Sequence, residues 1–336
     1  MPISLIVAPT SPAALRKSTV ALSIALSMAS APLAHALTFN VIYDASVSSA
    51  PMGFTSGFQN AIGYFQSTFS NPVSINLNVG WGEVGGQSLG GSLGASSSYF
   101  VNYDYATVRS ALQNVAAPGY LPVADPTGGR LIDVNTANAK VLSLRTGKPG
   151  SDGSVGFNST SQWTFDPNNR AVSGSYDFIG VAIHEISEVM GRSSSLVPTC
   201  TLGSGCSESV QDLFRYTAPG QLDLTGTNAY LSINGGTSQV NTFNGDPTRG
   251  DLGDWNGNTA DAYNYSAATG QLLPATAGDI TAMRALGYTL ATPVPLPDSA
   301  LLLLSALGLT VWLARRRKTV IYSQANFSAQ SLAVTR

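Results

Sequence analysis

The sequence is poor in the residues that carry most catalytic chemistry: of 336 residues, two are histidine, two are cysteine and four are glutamate. His35 lies in an N-terminal segment that reads as a removable leader. His184 is then the only imidazole of the mature chain, which excludes a three-histidine metal centre. Charge is scarce as well, at 11% of residues, whereas Gly, Ser, Asn and Thr abound. That composition suits an extracellular protein of short strands and turns better than a charged cytosolic helical one. Of the seventeen basic residues, two (Arg16, Lys17) fall in the leader and five (Arg315, Arg316, Arg317, Lys318, Arg336) fall near the C-terminus. Residues 37–298 keep ten basic groups against all nineteen acidic ones, a net charge of −9. So acidic a surface argues against a nucleic-acid partner and is compatible with cation binding.

The two ends read as addresses. In residues 1–36 a basic pair precedes an apolar stretch, and Ala34-His35-Ala36 supplies the small residues of a signal-peptidase site. The mature chain is expected to start at Leu37. Residues 299–314 form an uncharged apolar run followed at once by Arg-Arg-Arg-Lys, near the lower length limit for a membrane span. The basic cluster places the C-terminal side in the cytoplasm. Cys200 and Cys206, with five residues between them, would close a small disulfide loop in an oxidising compartment. Joint metal ligation is the competing use, disfavoured because Thr-Leu-Gly-Ser-Gly between them reads as a surface loop.

Between the ends, residues 38–43 read as a strand. Phe54, Phe58, Ile62, Phe65 and Phe69 recur at helical spacing. Val73, Ile75, Leu77, Val79 and Trp81 alternate as in a strand with one buried face. Residues 85–98 read as a Gly/Ser-rich loop and 105–115 as a helix. Residues 155–158 and 163–165 read as short strands, 176–192 as a helix, 222–243 as a β-like region and 277–286 as a closing helix. Residues 130–144 fit no single element. The order suggests an α+β domain over 37–290, with a twisted mixed sheet and the motif-bearing helix behind it. A linker at 291–298, the sorting segment 299–318 and a tail at 319–336 complete the chain.

The chemistry concentrates in His184-Glu185-Ile186-Ser187-Glu188. At 100° per residue, Phe178, Ile179, Ala182, Ile183, Ile186, Val189 and Met190 form an apolar stripe. His184 and Glu188 lie one turn apart on the opposite side, with Glu185 rotated off. This is the geometry of His-Glu-x-x-His, in which positions i and i+4 bind Zn²⁺ and the Glu is general base. Here Glu188 replaces the second His. A carboxylate is a competent zinc ligand, but it adds negative charge beside the ion. The competing reading is a solvated polar face. Two of the chain's four glutamates fall inside this one turn, which weighs against coincidence.

The segment from Phe178 to Arg192 resembles the signature of a family of bacterial secreted metallopeptidases, His-Glu-Ile-x-Glu-Val-Met-Gly-Arg. The likeness extends to Asp212-Leu-Phe-Arg-Tyr216, Tyr230-Leu-Ser-Ile-Asn-Gly-Gly236, Gly250-Asp-Leu-Gly-Asp-Trp255 and Asp279-Ile-Thr-Ala-Met-Arg-Ala-Leu-Gly-Tyr288. It implies metal-dependent proteolysis on a metzincin-like fold, with Gly191 where such helices turn. The metzincin third ligand would fall at Ser194, which cannot replace a histidine. Asp212 is the candidate instead, with Glu208 and Asp254 as runners-up. A capping role is the plain alternative for Asp212. By the same analogy residues 152–159 would supply an edge strand to pair with an extended peptide. Val294-Pro-Leu-Pro-Asp298, the apolar run and the basic cluster resemble a PEP-CTERM type sorting signal of Gram-negative bacteria. That likeness implies envelope localisation, transient inner-membrane anchoring and an exosortase-like processing enzyme. Leu296 stands where that signal has Glu, and 18 residues follow the basic cluster.

Other polar residues read as structural. Asp177 suits a helix cap. Asp246, Asp251 and Asp254, set among Gly and Asn, suit turns better than a Ca²⁺ site. Tyr216 and Tyr263 are candidates to polarise a substrate carbonyl. The expectation is a secreted zinc endopeptidase with Glu185 as general base and His184, Glu188 and Asp212 as ligands. The alternative is a non-catalytic surface or biofilm-matrix protein with a structural metal. A carbohydrate-active enzyme pairing Glu185 with Glu188 is a third, weaker option, since two carboxylates one turn apart on one helix do not easily flank a glycosidic bond from both faces.

Overall fold

The computed structural model describes residues 37–144, 150–197, 207–226 and 228–292. The expected leader, the Cys200–Cys206 loop and the sorting segment lie outside the described residues. Among those described, no helix is long and apolar enough to cross a membrane.

The architecture is mixed α+β. In chain order the main elements are β1 (Thr38–Tyr43), α1 (Phe54–Thr68), β2 (Ser74–Trp81), β3 (Gly94–Ser98), β4 (Phe100–Tyr103), α2 (Tyr105–Asn114), β5 (Ile132–Asn135), α3 (Thr136–Val141), β6 (Gly153–Phe157), α4 (Phe178–Val189), β7 (Glu208–Ser209), β8 (Arg215–Ala218), β9 (Gln221–Leu222), β10 (Tyr230–Leu231) and α5 (Ala277–Ala285). Four strands form the main sheet in the order β1-β2-β6-β3. β1, β2 and β6 run parallel, and β3 runs antiparallel to β6 at one edge. Smaller sheets pair β4 and β7 with β5, and β9 and β10 with β8.

Hydrophobic period builds the platform. The five apolar side chains of and just beyond α1 (Phe54, Phe58, Ile62, Phe65, Phe69) are all buried, as are Ile75, Leu77, Val79 and Trp81 of β2. The rings of Phe54, Trp81, Phe157, Phe165 and Phe178 meet in tilted and edge-on pairs with centroids 4.8–6.4 Å apart. Phe178, the first residue of α4, thereby anchors the motif helix to both α1 and β6.

Three expectations change. Residues 85–98 are not simply a loop: they hold a short hairpin (Glu83–Val84 with Gln87–Ser88) and then β3. Gly-Ala-Ser-Ser-Ser has no apolar alternation, so the strand exists because β6 supplies its hydrogen-bonding partner. Residues 152–159 are correspondingly not an edge: β6 is paired on both sides, and β3 is the strand with one neighbour. Residues 130–144 resolve into β5 running directly into α3. The β-like region shrinks to the two-residue strands β9 and β10, joined largely by turns.

Candidate metal centre and its cleft

The sequence around α4 sets both its ends. Asp177 caps its start, accepting from Gly180 N–H at 3.2 Å. Arg170 grips the same carboxylate through two hydrogen bonds of 2.8 and 2.9 Å, and Leu273 N–H adds a third donor at 2.9 Å. The helix stops at Val189. Gly191 then turns the chain with φ +114°, lying so near Asn138 that a Cβ would come within 2.9 Å of it.

Every residue of α4 except His184 is buried, and His184 is nearly so. Glu185 and Glu188 are 5% and 6% exposed, so a solvated polar face is ruled out. The turn faces a cleft of about 580 Å³, bounded on one side by residues 91–96 and on the other by residues 249–251, Asp254, Ala262 and residues 264–267.

Three donor side chains meet there: His184, Glu188 and Asp254. His184 Nε2 lies 3.2 Å from Glu188 Oε1 and 3.4 Å from Asp254 Oδ1. Ligands 2.0–2.2 Å from a tetrahedral ion stand roughly 3.3–3.6 Å from one another. The two spacings are close to those around a shared zinc-sized ion, and His plus two carboxylates is a donor set zinc accepts. Each donor is oriented from behind. His184 Nδ1 is 2.9 Å from Ala262 O, and since a carbonyl only accepts, Nδ1 carries a proton and Nε2 is the nitrogen that faces the carboxylates. Ser96 of β3 donates to Glu188 Oε2 at 2.7 Å.

Arg192 completes the support. Its guanidinium is fully buried, 4.4 Å above the Tyr263 ring, and donates to Asp254 Oδ1 at 2.7 Å and Glu188 Oε1 at 3.3 Å. One fixed cation thus faces the same two oxygens that face His184. It offsets the charge that a carboxylate brings when it stands in for the second histidine of the motif.

The electrostatics agree with that picture. Burial works against a charged His184, yet Asp254 and Glu188 outweigh it and push the imidazole up to about 10. The pocket demands positive charge at Nε2, which a proton or a divalent cation can meet. Burial also opposes ionisation of Glu188, but His184 and Arg192 hold it down at about 2. Glu185 goes the other way: burial first, then the neighbouring Glu188, raise it well above the usual carboxylate range. Glu185 lies against β3, where a Cβ on Gly94 would overlap its carboxylate. Only glycine allows that strand to pass so close.

The structure brings together His184, Glu185 and Glu188 but not Asp212. Asp212 is fully buried elsewhere, accepting from Ser194 Oγ (2.7 Å), Ser195 N–H (3.0 Å) and Ser209 N–H (2.8 Å). It ties the chain leaving α4 to the start of the second half, and it occupies Ser194, the residue at the metzincin ligand position. The runner-up Asp254 takes the place beside His184. The other runner-up, Glu208, pairs with Arg130. Asp246 forms a turn through Thr248, and among the described residues no second group of three His, Cys, Asp or Glu side chains converges. Tyr216 and Tyr263 are buried and do not line the cleft. The tyrosines that do are Tyr176 and Tyr265. Sequence reasoning assigned no role to Arg192, Ser96, Gly94 or the Ala262 carbonyl. Only Arg192 carried a signal, as the last residue of the motif.

No family model, curated protein or solved structure matches the chain.

Proposed function

We propose that the chain is a secreted zinc-dependent endopeptidase of metzincin-like design. The observation that carries this reading is the convergence of His184, Glu188 and Asp254 at zinc-ligand spacing, with Glu185 beside them in an open cleft. Zinc, when bound, would polarise the scissile carbonyl and make water a nucleophile near neutral pH. The chain's own residues do the rest. The Ala262 carbonyl holds His184 in the ligating tautomer, while Arg192 and Ser96 hold the carboxylates. Glu185 takes the proton of the attacking water and passes it to the leaving amine. β3, with one neighbour in the sheet, offers a free edge along the cleft to which an extended peptide can add as a strand. Secretion through residues 1–36 and envelope sorting through residues 299–318 belong to the same proposal.

A structural metal in a matrix protein is the rival. Structural zinc is closed by four protein ligands, whereas the described residues offer three, beside a cleft. The test is metal analysis of the purified protein combined with casein digestion. Wild type and Glu185→Gln should each hold one zinc, and His184→Ala should hold none. Glu185→Gln should lower cleavage about 10²–10⁴-fold. Undiminished cleavage by Glu185→Gln removes Glu185 from the mechanism, and absence of zinc from the wild type removes the centre.

A further inference from the structure

Five side chains with full formal charge line the cleft besides His184, and four of them are acidic: Glu185, Glu188, Asp251 and Asp254. The fifth is Arg249. Glu188 and Asp254 already share Arg192 behind them. Arg249 belongs to no ion pair among the described residues. Asp246, three residues before it, spends Oδ1 on the amide and hydroxyl of Thr248.

Arg249 is nevertheless held in place. Its guanidinium lies 4.7 Å over the Tyr265 ring and donates to the Tyr265 hydroxyl. The Tyr265 side chain is wedged in turn against the backbone, since a Cβ on Gly250 would stand 2.8 Å from its Cβ and one on Gly257 3.1 Å from its ring. The Asn244 side chain fastens the loop beneath by donating to the carbonyls of Asp246, Gly250 and Asp251 at 2.9–3.1 Å. A guanidinium carries five N–H donors in a planar fork that matches a carboxylate. Arg249 uses its fork on one tyrosine hydroxyl, acts on Asp246 without a close ion pair, and is exposed on the wall of the cleft.

We propose that Arg249, seated on Tyr265, is the specificity-determining residue of this cleft and receives a carboxylate of the peptide substrate. The inference rests on the peptidase reading above. The carboxylate comes either from an Asp or Glu side chain near the scissile bond or from the free C-terminus of the peptide. Opposite-charge attraction selects it, while the acidic groups around the metal centre repel a carboxylate from any other stretch of the wall.

The test separates this inference from the peptidase reading by measuring binding as well as turnover. Peptide pairs differing only by Glu or Gln at positions flanking one bond are prepared both as free acids and as C-terminal amides. Their affinity is measured by calorimetry on the full zinc-loaded chain carrying Glu185→Gln, with and without Arg249→Gln. The same set is offered to the wild type for cleavage. A preference of about 10-fold for the carboxylate-bearing member is expected, abolished by Arg249→Gln without loss of affinity for the Gln or amide partner. Loss of the Glu/Gln difference assigns the side-chain carboxylate, and loss of the acid/amide difference assigns the C-terminus. Cleavage without any carboxylate preference, or a preference that survives Arg249→Gln, overturns the inference alone. Arg249-dependent binding without cleavage by the wild type overturns the peptidase reading alone. Absence of both overturns both.

Discussion

The layer between α1 and the main sheet is filled with aromatic rings, whereas the segment from Arg192 to Asp279 buries Arg192, Gln211, Asp212, Arg215, Asp254, Asp261 and Asp279. α4 lies between them, with Phe178 in the first region and His184 and Glu188 facing Arg192 and Asp254 of the second. The aromatic layer is a non-directional adhesive: rings pack wherever area can be removed from water. The polar side works through directional hydrogen bonds, each of which orients a particular atom. The comparison teaches a division of labour. The first region makes the motif helix rigid, and the second aims its ligands.

The difference can be broken from either side. The largest effect on stability is expected from the aromatic layer: Phe58→Ala should cost about 3–5 kcal/mol in denaturant unfolding, with zinc content of the folded protein unchanged. A deficit in zinc at equal foldedness would show that the platform also shapes the centre. Next come the two buried aspartates. Asp212→Asn should cost about 1–3 kcal/mol through its weakened hydrogen bonds yet retain zinc, whereas Asp254→Asn should fail to retain it in a chelator competition. The reverse result would restore Asp212 as the ligand.

A smaller effect is expected at Arg192. Arg192→Lys keeps a positive charge but cannot reach Asp254 and Glu188 together. Zinc affinity should fall about 10–100-fold with circular dichroism unchanged. Unaltered affinity would reduce Arg192 to a packing element. The smallest effect concerns Asp279, which accepts from Trp255 Nε1 and the Thr276 N–H. Burial, then Asp261, push it up to about 8. Its folded value lies above the unfolded one, so its contribution is fully present below about pH 4 and is lost as pH rises through about 8. The melting temperature should fall a few degrees between pH 5 and 9, and Asp279→Asn should flatten that dependence. A flat wild-type profile would show that the carboxylate stays ionised.

Legibility followed the same boundary. Phe54, Phe58, Ile62 and Phe65 announce α1 by period alone, and Ile75, Leu77 and Val79 announce β2. One turn of α4 announces His184, Glu185 and Glu188, because i and i+4 on a helix are neighbours whatever the rest of the chain does. β3 was illegible, since Gly94–Ser98 has no pattern of its own and is made a strand by β6. Proximity along the chain favours Asp212 over Asp254, yet it is Asp254 that the fold places beside His184. Asp254 lies 62 residues from Arg192, and the hydrogen bond joining them leaves no periodic trace.

The sequence by itself therefore determined the platform, the motif helix and two of the three donors of the candidate centre. Those features depend on interactions within a few residues or on the average polarity of a face. Tertiary structure alone decided the third donor, the cation behind the carboxylates, the carbonyl that orients His184 and the strand that walls the cleft. Each of these is a meeting of groups remote in the chain, and only the closed fold brings their atoms within bonding distance.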